Sequence, residues 1–359
     1  MHSDKRADHI FSGNIYIFHA FDVGEDINLD KIATSNEIIT RPLVLPKYFK
    51  HYDLPLEIEL PHPHSSAACD SVKIHNFGAI SLTYKIPFEG TLETVRKDLE
   101  HIDNKFQEQS VIDTGSIIKK IKRFIKKPNF FHTKSSYLVI QLDTSAGLSV
   151  SKLKEDYGSI IASSLRFETE LLSEYQKNDI LNSAVGYFKG DLIVIDTEAA
   201  FIYDEDYEDI LSFFEFANLQ HLELRYFDRL LDQQLNVIYE EKVTKVPLSA
   251  YLPFIGTKMR SPIDDLGKLK VDISVITERL EGSIKLAGEP FYSELYHLLV
   301  DKLDLQRWKD SINAKLDIIH EVRSLLQHKI ETARGDMLEV LIIILIFIEL
   351  VLGVIGHFK

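Results

Sequence analysis

Six basic side chains, Lys119, Lys120, Lys122, Arg123, Lys126 and Lys127, crowd into the segment SIIKKIKRFIKKP, Ser116 to Pro128. Cations at this density suit phosphate-bearing partners, and Ile117, Ile118, Ile121, Phe124 and Ile125 fall between them as one apolar stripe. The spacing reads as an amphipathic helix that can lie on anionic lipid or, as a second choice, grip RNA. The plainer alternative is a surface helix whose apolar face packs on its own domain.

A second concentration of charge lies in DTEAAFIYDEDYED, with Asp196, Glu198, Asp204, Glu205, Asp206, Glu208 and Asp209. Such carboxylates can hold a divalent metal, yet the spacing and glycine of a Ca²⁺ loop are missing. Acidic residues ahead of Tyr207 also suit the positive end of a helix starting there. His62 and His64, near Cys69 and His75, lack a further ligand at a recognised zinc spacing and read as a proline-stiffened loop. No G-x-G-x-x-G, P-loop, G-x-S-x-G or H-E-x-x-H pattern occurs. No catalytic residue, metal or cofactor is therefore assigned, and a non-enzymatic role is favoured. The alternative is a metal-dependent hydrolase or nuclease built on the Asp196 to Asp209 carboxylates.

The elements that must carry these residues follow from pattern. The chain has 359 residues, 45% of them hydrophobic, enough for two or three domains with real cores. Its net charge of -14 repels nucleic acid and anionic lipid overall, so binding of either needs a local basic patch. One cysteine excludes an intramolecular disulfide and suits a reducing compartment. The N-terminal stretch has no cleavable signal pattern. Asn14 to Gly24, Val72 to Phe88 and Ser136 to Leu142 are rich in β-branched and aromatic residues and read as strands. Helical patterns follow Asp26, Gly90 and Gly147, so residues 1–170 are expected to form an α+β head.

Residues 171–290 are expected to hold a small β hairpin or meander around Lys189-Gly190-Asp191 and then helices. One helix of about 35 residues starts near Tyr207, with Ile210, Phe214, Ala217, His221, Leu224, Leu231, Leu235 and Ile238 as its stripe. A Pro/Gly connector over 246–265 and a helix over Leu269 to Ile284 come next. In 291–337, Leu305, Ile312, Ile319 and Leu326 recur at seven-residue intervals and predict a coiled-coil stalk or bundle that self-associates. Residues 338–358 are apolar all round and long enough, at roughly 31 Å, to span a bilayer. Glu339 sits near the start of this stretch and Glu349 near its middle, where a carboxylate costs about 3 kcal/mol. About a dozen Leu, Ile and Val residues outweigh that cost. Glu349 then marks a contact between spans, in an oligomer interface with the four heptad residues.

The segments KLDIIHEVRSLL, LEVLIIILIFIELVLG and FFEFANLQHLELRYFDRLLD resemble the C-terminal part of a family whose eukaryotic members are called "required for meiotic nuclear division" proteins, or a related bacterial branch. The resemblance covers about residues 190–357. It implies membrane-anchored homo-oligomers, with mitochondrial members on the inner membrane supporting translation of organellar messages, and it assigns no catalytic residues. The expectation is a single-pass, tail-anchored protein of the inner (cytoplasmic) membrane with its N-terminal bulk in the cytoplasm. It would act as a scaffold or tether, with lipid headgroups, RNA or ribosomes as partners.

Overall fold

A computed structural model describes residues 9–35, 37–43, 54–61, 68–130, 133–144, 147–240 and 290–357. The connector and helix read over 246–284, and His62 and His64, lie outside these residues. The described parts divide into two compact units, one ending at Tyr226 and resuming with 276–308, the other made of 227–275 and 309–359.

The first unit is built on one eight-stranded sheet. Its strands are β1 (Phe11–Asp22), β3 (Leu56–Ile58), β4 (Cys69–Ile74), β5 (Ala79–Gly90), β7 (Lys134–Leu142), β8 (Ala184–Val185), β9 (Leu192–Ile195) and β10 (Ala199–Tyr203). A separate two-stranded ribbon pairs β2 (Asp26–Ile27) with β6 (Ile125–Lys126). The sheet order is β3-β4-β5-β1-β7-β10-β9-β8, and only the β7 and β10 pair is parallel. Helices between the strands of this largely antiparallel sheet give the head of mixed helix and strand expected from the sequence pattern.

Strand β1 is central, and nearly every residue from Ile15 to Asp22 is buried, whichever way it points. Both faces are covered, which accounts for the continuous apolar run in place of alternation. On one face Ile15, Ile17, Leu82, Leu138 and Ile140 pack with α2 (Leu92–Ile121) and α3 (Val150–Leu165). On the other face lies the first part of α5 (Tyr207–Glu240). Phe214 stacks on Tyr137, Leu219 and Leu222 pack with Ala20 and Ala79, and Asn218 donates to the Phe18 carbonyl at 3.3 Å. Each large apolar side chain buried this way contributes about 2 kcal/mol.

Three sequence expectations change here. The strand read over Val72 to Phe88 is a hairpin, because Gly78, at φ 104, turns the chain between β4 and β5. The meander at 184–203 belongs to the same sheet as the head, since β10 pairs with β7, so the sheet crosses the boundary expected at residue 170. The basic segment is not one helix: α2 runs to Ile121, a 3-10 turn covers Lys122–Phe124, and Ile125–Lys126 is strand. Pro128 disfavours helix at the residue before it, and Lys127 takes φ 46.

Two further helices are α6 (Pro290–Lys302) and α7 (Leu305–His357), the latter 53 residues long. Asp304, at φ 52, separates them. In the second unit the end of α5 meets the start of α7: Ser311 donates to Asp228 at 2.7 Å, and Lys315 bridges Asp228 and Asp232 at 2.7 and 2.6 Å. Leu305, Ile312 and Ile319 are 0%, 3% and 4% exposed. The chain's own packing covers them, so as a self-association seam these positions are already occupied. The side chain of Leu326 is outside the described set.

Candidate functional site

All six cations of the basic segment reach the surface, while Ile117, Ile118, Ile121 and Ile125 are buried in the head's own core. The apolar stripe thus docks on its domain, and the charges remain as an exposed rim. Glu37 pairs with Arg123 at 2.7 Å, and its carbonyl accepts from Lys120 at 3.3 Å. Glu25 pairs with Lys127 at 2.6 Å and Lys126 at 3.5 Å, and Lys122 lies 5.3 Å from the Phe130 ring centre. Exposed pairs of this kind contribute about 0–1 kcal/mol and yield readily to a phosphate. Two carboxylates against six cations leave the rim basic.

The acidic segment is dispersed by the fold. Asp196, at 0% exposure, pairs with Arg166 and, at 3.8 Å, with Lys302, while its carbonyl accepts from Tyr137 at 2.7 Å. Asp204 accepts from the Asp206 amide at 2.8 Å, and Glu208 and Asp209 occupy the first turn of α5. These are turn, cap and ion-pair roles. Among the described residues no three His, Cys, Asp or Glu side chains converge to hold a metal. The hydrolase arrangement expected of Asp196 to Asp209 is therefore not assembled.

Two buried polar groupings between the sheet and α5 have no counterpart in the sequence motifs. In the first, Lys73 donates to Glu215 at 2.5 Å, Ser81 donates to the same carboxylate at 3.0 Å, and Ser81 Oγ lies 3.1 Å from His75 Nε2. The single hydroxyl proton of Ser81 is committed to Glu215, so the His75 ring must donate to Ser81. A nucleophile needs its proton taken by the base, and here the direction is reversed. Burial also holds His75 down at about 3. The grouping pins β4 and β5 to α5.

The second grouping lies where β1 ends. Asp22 is 3% exposed and Glu223, on α5, is 2% exposed. Asp22 shares its face of β1 with Ala20 and pairs in register with Ala79, the two residues on which Leu219 and Leu222 of α5 rest. Asp22 donates its amide to the Thr133 carbonyl at 3.1 Å, and its Oδ1 accepts from the Gly24 amide at 3.3 Å. Its Oδ2 and the Thr133 hydroxyl are buried with no hydrogen-bond partner among the described residues. Burial raises Asp22 to about 7, and burial followed by the charge of Asp22 raises Glu223 well above the carboxylate range. Burial and these carboxylates also raise Tyr226. Sequence reasoning missed this pair because the two residues lie far apart in the chain, on a strand and a helix, without a local spacing to mark them.

The last candidate feature is the end of α7. Glu331–Ile355 is a 25-residue helical stretch whose most apolar 18 residues have a mean hydropathy of 3.0, none of them buried. Glu349 lies within it, as expected, and the bulky apolar side chains from Leu338 to Ile355 other than Leu341 are exposed.

Comparison with known proteins places the match in the head, not the C-terminal half. The sequence profile described as "Uncharacterized protein MJ0711, N-terminal domain" matches residues 12–209. The "Uncharacterized protein MJ0711" of Methanocaldococcus jannaschii is 25% identical over 197 residues, covering 54% of this chain and 59% of that protein. The chain thus spans well under two thirds of that relative's length. No solved structure gives a significant match. The link to the meiotic-division proteins drawn from residues 190–357 has no support in these comparisons.

Proposed function

The chain belongs to the MJ0711 N-terminal domain family, and from its own geometry we propose its role: a membrane-held, non-enzymatic head of mixed helix and strand acting as a scaffold or tether. The observation that carries this reading is the exposed apolar stretch Glu331–Ile355. At 1.5 Å per residue its apolar part, Leu338 to Ile355, extends about 27 Å, close to the roughly 30 Å of a hydrocarbon core. An uncovered apolar surface of that size in water is untenable, and a bilayer covers it. Lys329 and Arg334 precede the apolar run that begins at Leu338, and they favour a cytoplasmic head by the positive-inside tendency.

The basic rim of Lys119, Lys120, Lys122, Arg123, Lys126 and Lys127 supplies the surface that a tether needs. Each cation close to anionic lipid adds about 1 kcal/mol, and the same rim suits an RNA backbone less well given the overall charge of -14. The test is extraction of native membranes with alkaline carbonate. The full chain is expected in the pellet, and a chain ending before Met337 in the supernatant. Release of the full chain by carbonate alone would sink the reading. Flotation of the shortened chain with anionic liposomes, compared with a variant carrying Gln at all six basic positions, then reports on the rim.

A further inference from the structure

We propose that Asp22, Glu223 and Thr133 form a buried binding site for one divalent, oxygen-seeking cation between β1 and α5. Two carboxylates of like sign occupy one water-poor region, and neither has an ion-pair partner among the described residues. Something must offset the pair, and the choice lies between protons and a cation.

The hydrogen-bond pattern selects the cation. A protonated Asp22 would carry its hydrogen on Oδ2, because Oδ1 already accepts from the Gly24 amide, and Oδ2 has no hydrogen-bond partner among the described residues. Protonation would exchange a buried charge for a buried, unsatisfied O–H. The Thr133 hydroxyl is a second orphan on the neighbouring strand, and the ladder puts Thr133 beside Asp22 on the same face. One cation satisfies both orphans and both carboxylates together. Charge balance then favours a divalent ion over a monovalent one. The donor set, two carboxylates and a hydroxyl, is all oxygen and fits Mg²⁺ or Ca²⁺ completed by water, not a thiolate- or imidazole-seeking metal. The ion would tie β1 to α5, the helix on which the next unit begins.

The test uses the full chain in mild detergent, stripped with EDTA and then titrated with Mg²⁺, Ca²⁺ or Mn²⁺. The expected result is a rise in Tm of about 5 °C or more at saturation with one of them. That rise is expected to vanish in Asp22→Asn and in Glu223→Gln. Should these variants fail to fold, Tb³⁺ titration of the unaltered protein provides the second measurement. Tyr226, which feels both carboxylates, is expected to sensitise Tb³⁺ emission at one ion per chain, and Ca²⁺ or Mg²⁺ to displace it. No Tm response to any of the three ions and no sensitised emission overturns the proposal. So does a Tm that rises on acidification yet ignores every cation, which would assign protons to the pair. A carbonate-release failure of the membrane reading leaves all these outcomes untouched.

Discussion

His19 shows how much a single buried polar atom can cost. Its ring is 3% exposed, packs edge-on against Tyr84 at 5.9 Å, and leaves Nε2 without a hydrogen-bond partner among the described residues. Burial, followed by the charge of Lys134, lowers it from 6.5 to about 3. The unfolded chain therefore holds a proton between those values that the folded chain refuses. Stability falls as pH drops below 6.5, by about 1.4 kcal/mol per pH unit for each such histidine. His75, at about 3, and His221, at about 4, act in the same direction. Asp22 acts oppositely: raised from 3.8 to about 7, it favours the folded state at low pH and loses that contribution as pH climbs to 7. His19→Phe keeps the aromatic contact and removes both the orphan nitrogen and the proton. Chemical unfolding is expected to show the variant more stable by about 1 kcal/mol at pH 7. Its stability should also fall less steeply between pH 6.5 and 4, by about 1.4 kcal/mol per unit. A parallel pH curve would show that His19 is not buried neutral.

At the scale of elements, the β4–β5 hairpin depends on Gly78. A Cβ there would sit 1.8 Å from the Gly24 carbonyl oxygen, and φ 104 is strained for any other residue. The same loop accepts the Val23 amide at 2.9 Å, next to Asp22. Gly78→Ala is expected to cost about 2 kcal/mol or more, read from the urea midpoint, and to speed amide exchange at Val23. A midpoint within about 0.5 kcal/mol of the parent would show that the turn has room to relax. Local signals of this strength explain what the sequence made legible. Thr91, Ser149 and Asn28 cap α2, α3 and α1 (Leu29–Thr34) as their types predict. Two elements were read differently for physical reasons. The helical pattern after Gly90 and the basic segment from Ser116 read as separate elements, yet a Cβ at Gly115 meets nothing and α2 runs through to Ile121. The two-residue strand Ile125–Lys126 is fixed by its partner Asp26–Ile27, a long-range pairing that no window over 116–128 contains. The Asp22 and Glu223 pair is of that second kind.

At the scale of the whole molecule, the remaining question is what meets the exposed end of α7. The heptad residues predicted a self-associating seam, but Leu305, Ile312 and Ile319 are buried within the chain, because a periodic apolar stripe looks the same whether its partner is a second copy or the chain itself. Glu349 is thus what remains of the predicted oligomer interface among the described residues. It sits on an otherwise apolar stretch of mean hydropathy 3.0. A carboxyl group there costs about 3 kcal/mol against lipid and has no polar group beside it on its own exposed helix face. The same carboxyl placed against a second span can hydrogen-bond across the interface, at about 1 kcal/mol per contact. Glu349→Leu removes that contact while making the span more apolar, so insertion is preserved and only association is challenged. Sedimentation of the full chain in mild detergent is expected to show an assembly that the substitution shifts toward monomer, with carbonate resistance unchanged. If the unaltered chain is already monomeric, or the variant sediments at the same size, the spans do not associate through Glu349. The scaffold would then rest on the head and its basic rim alone.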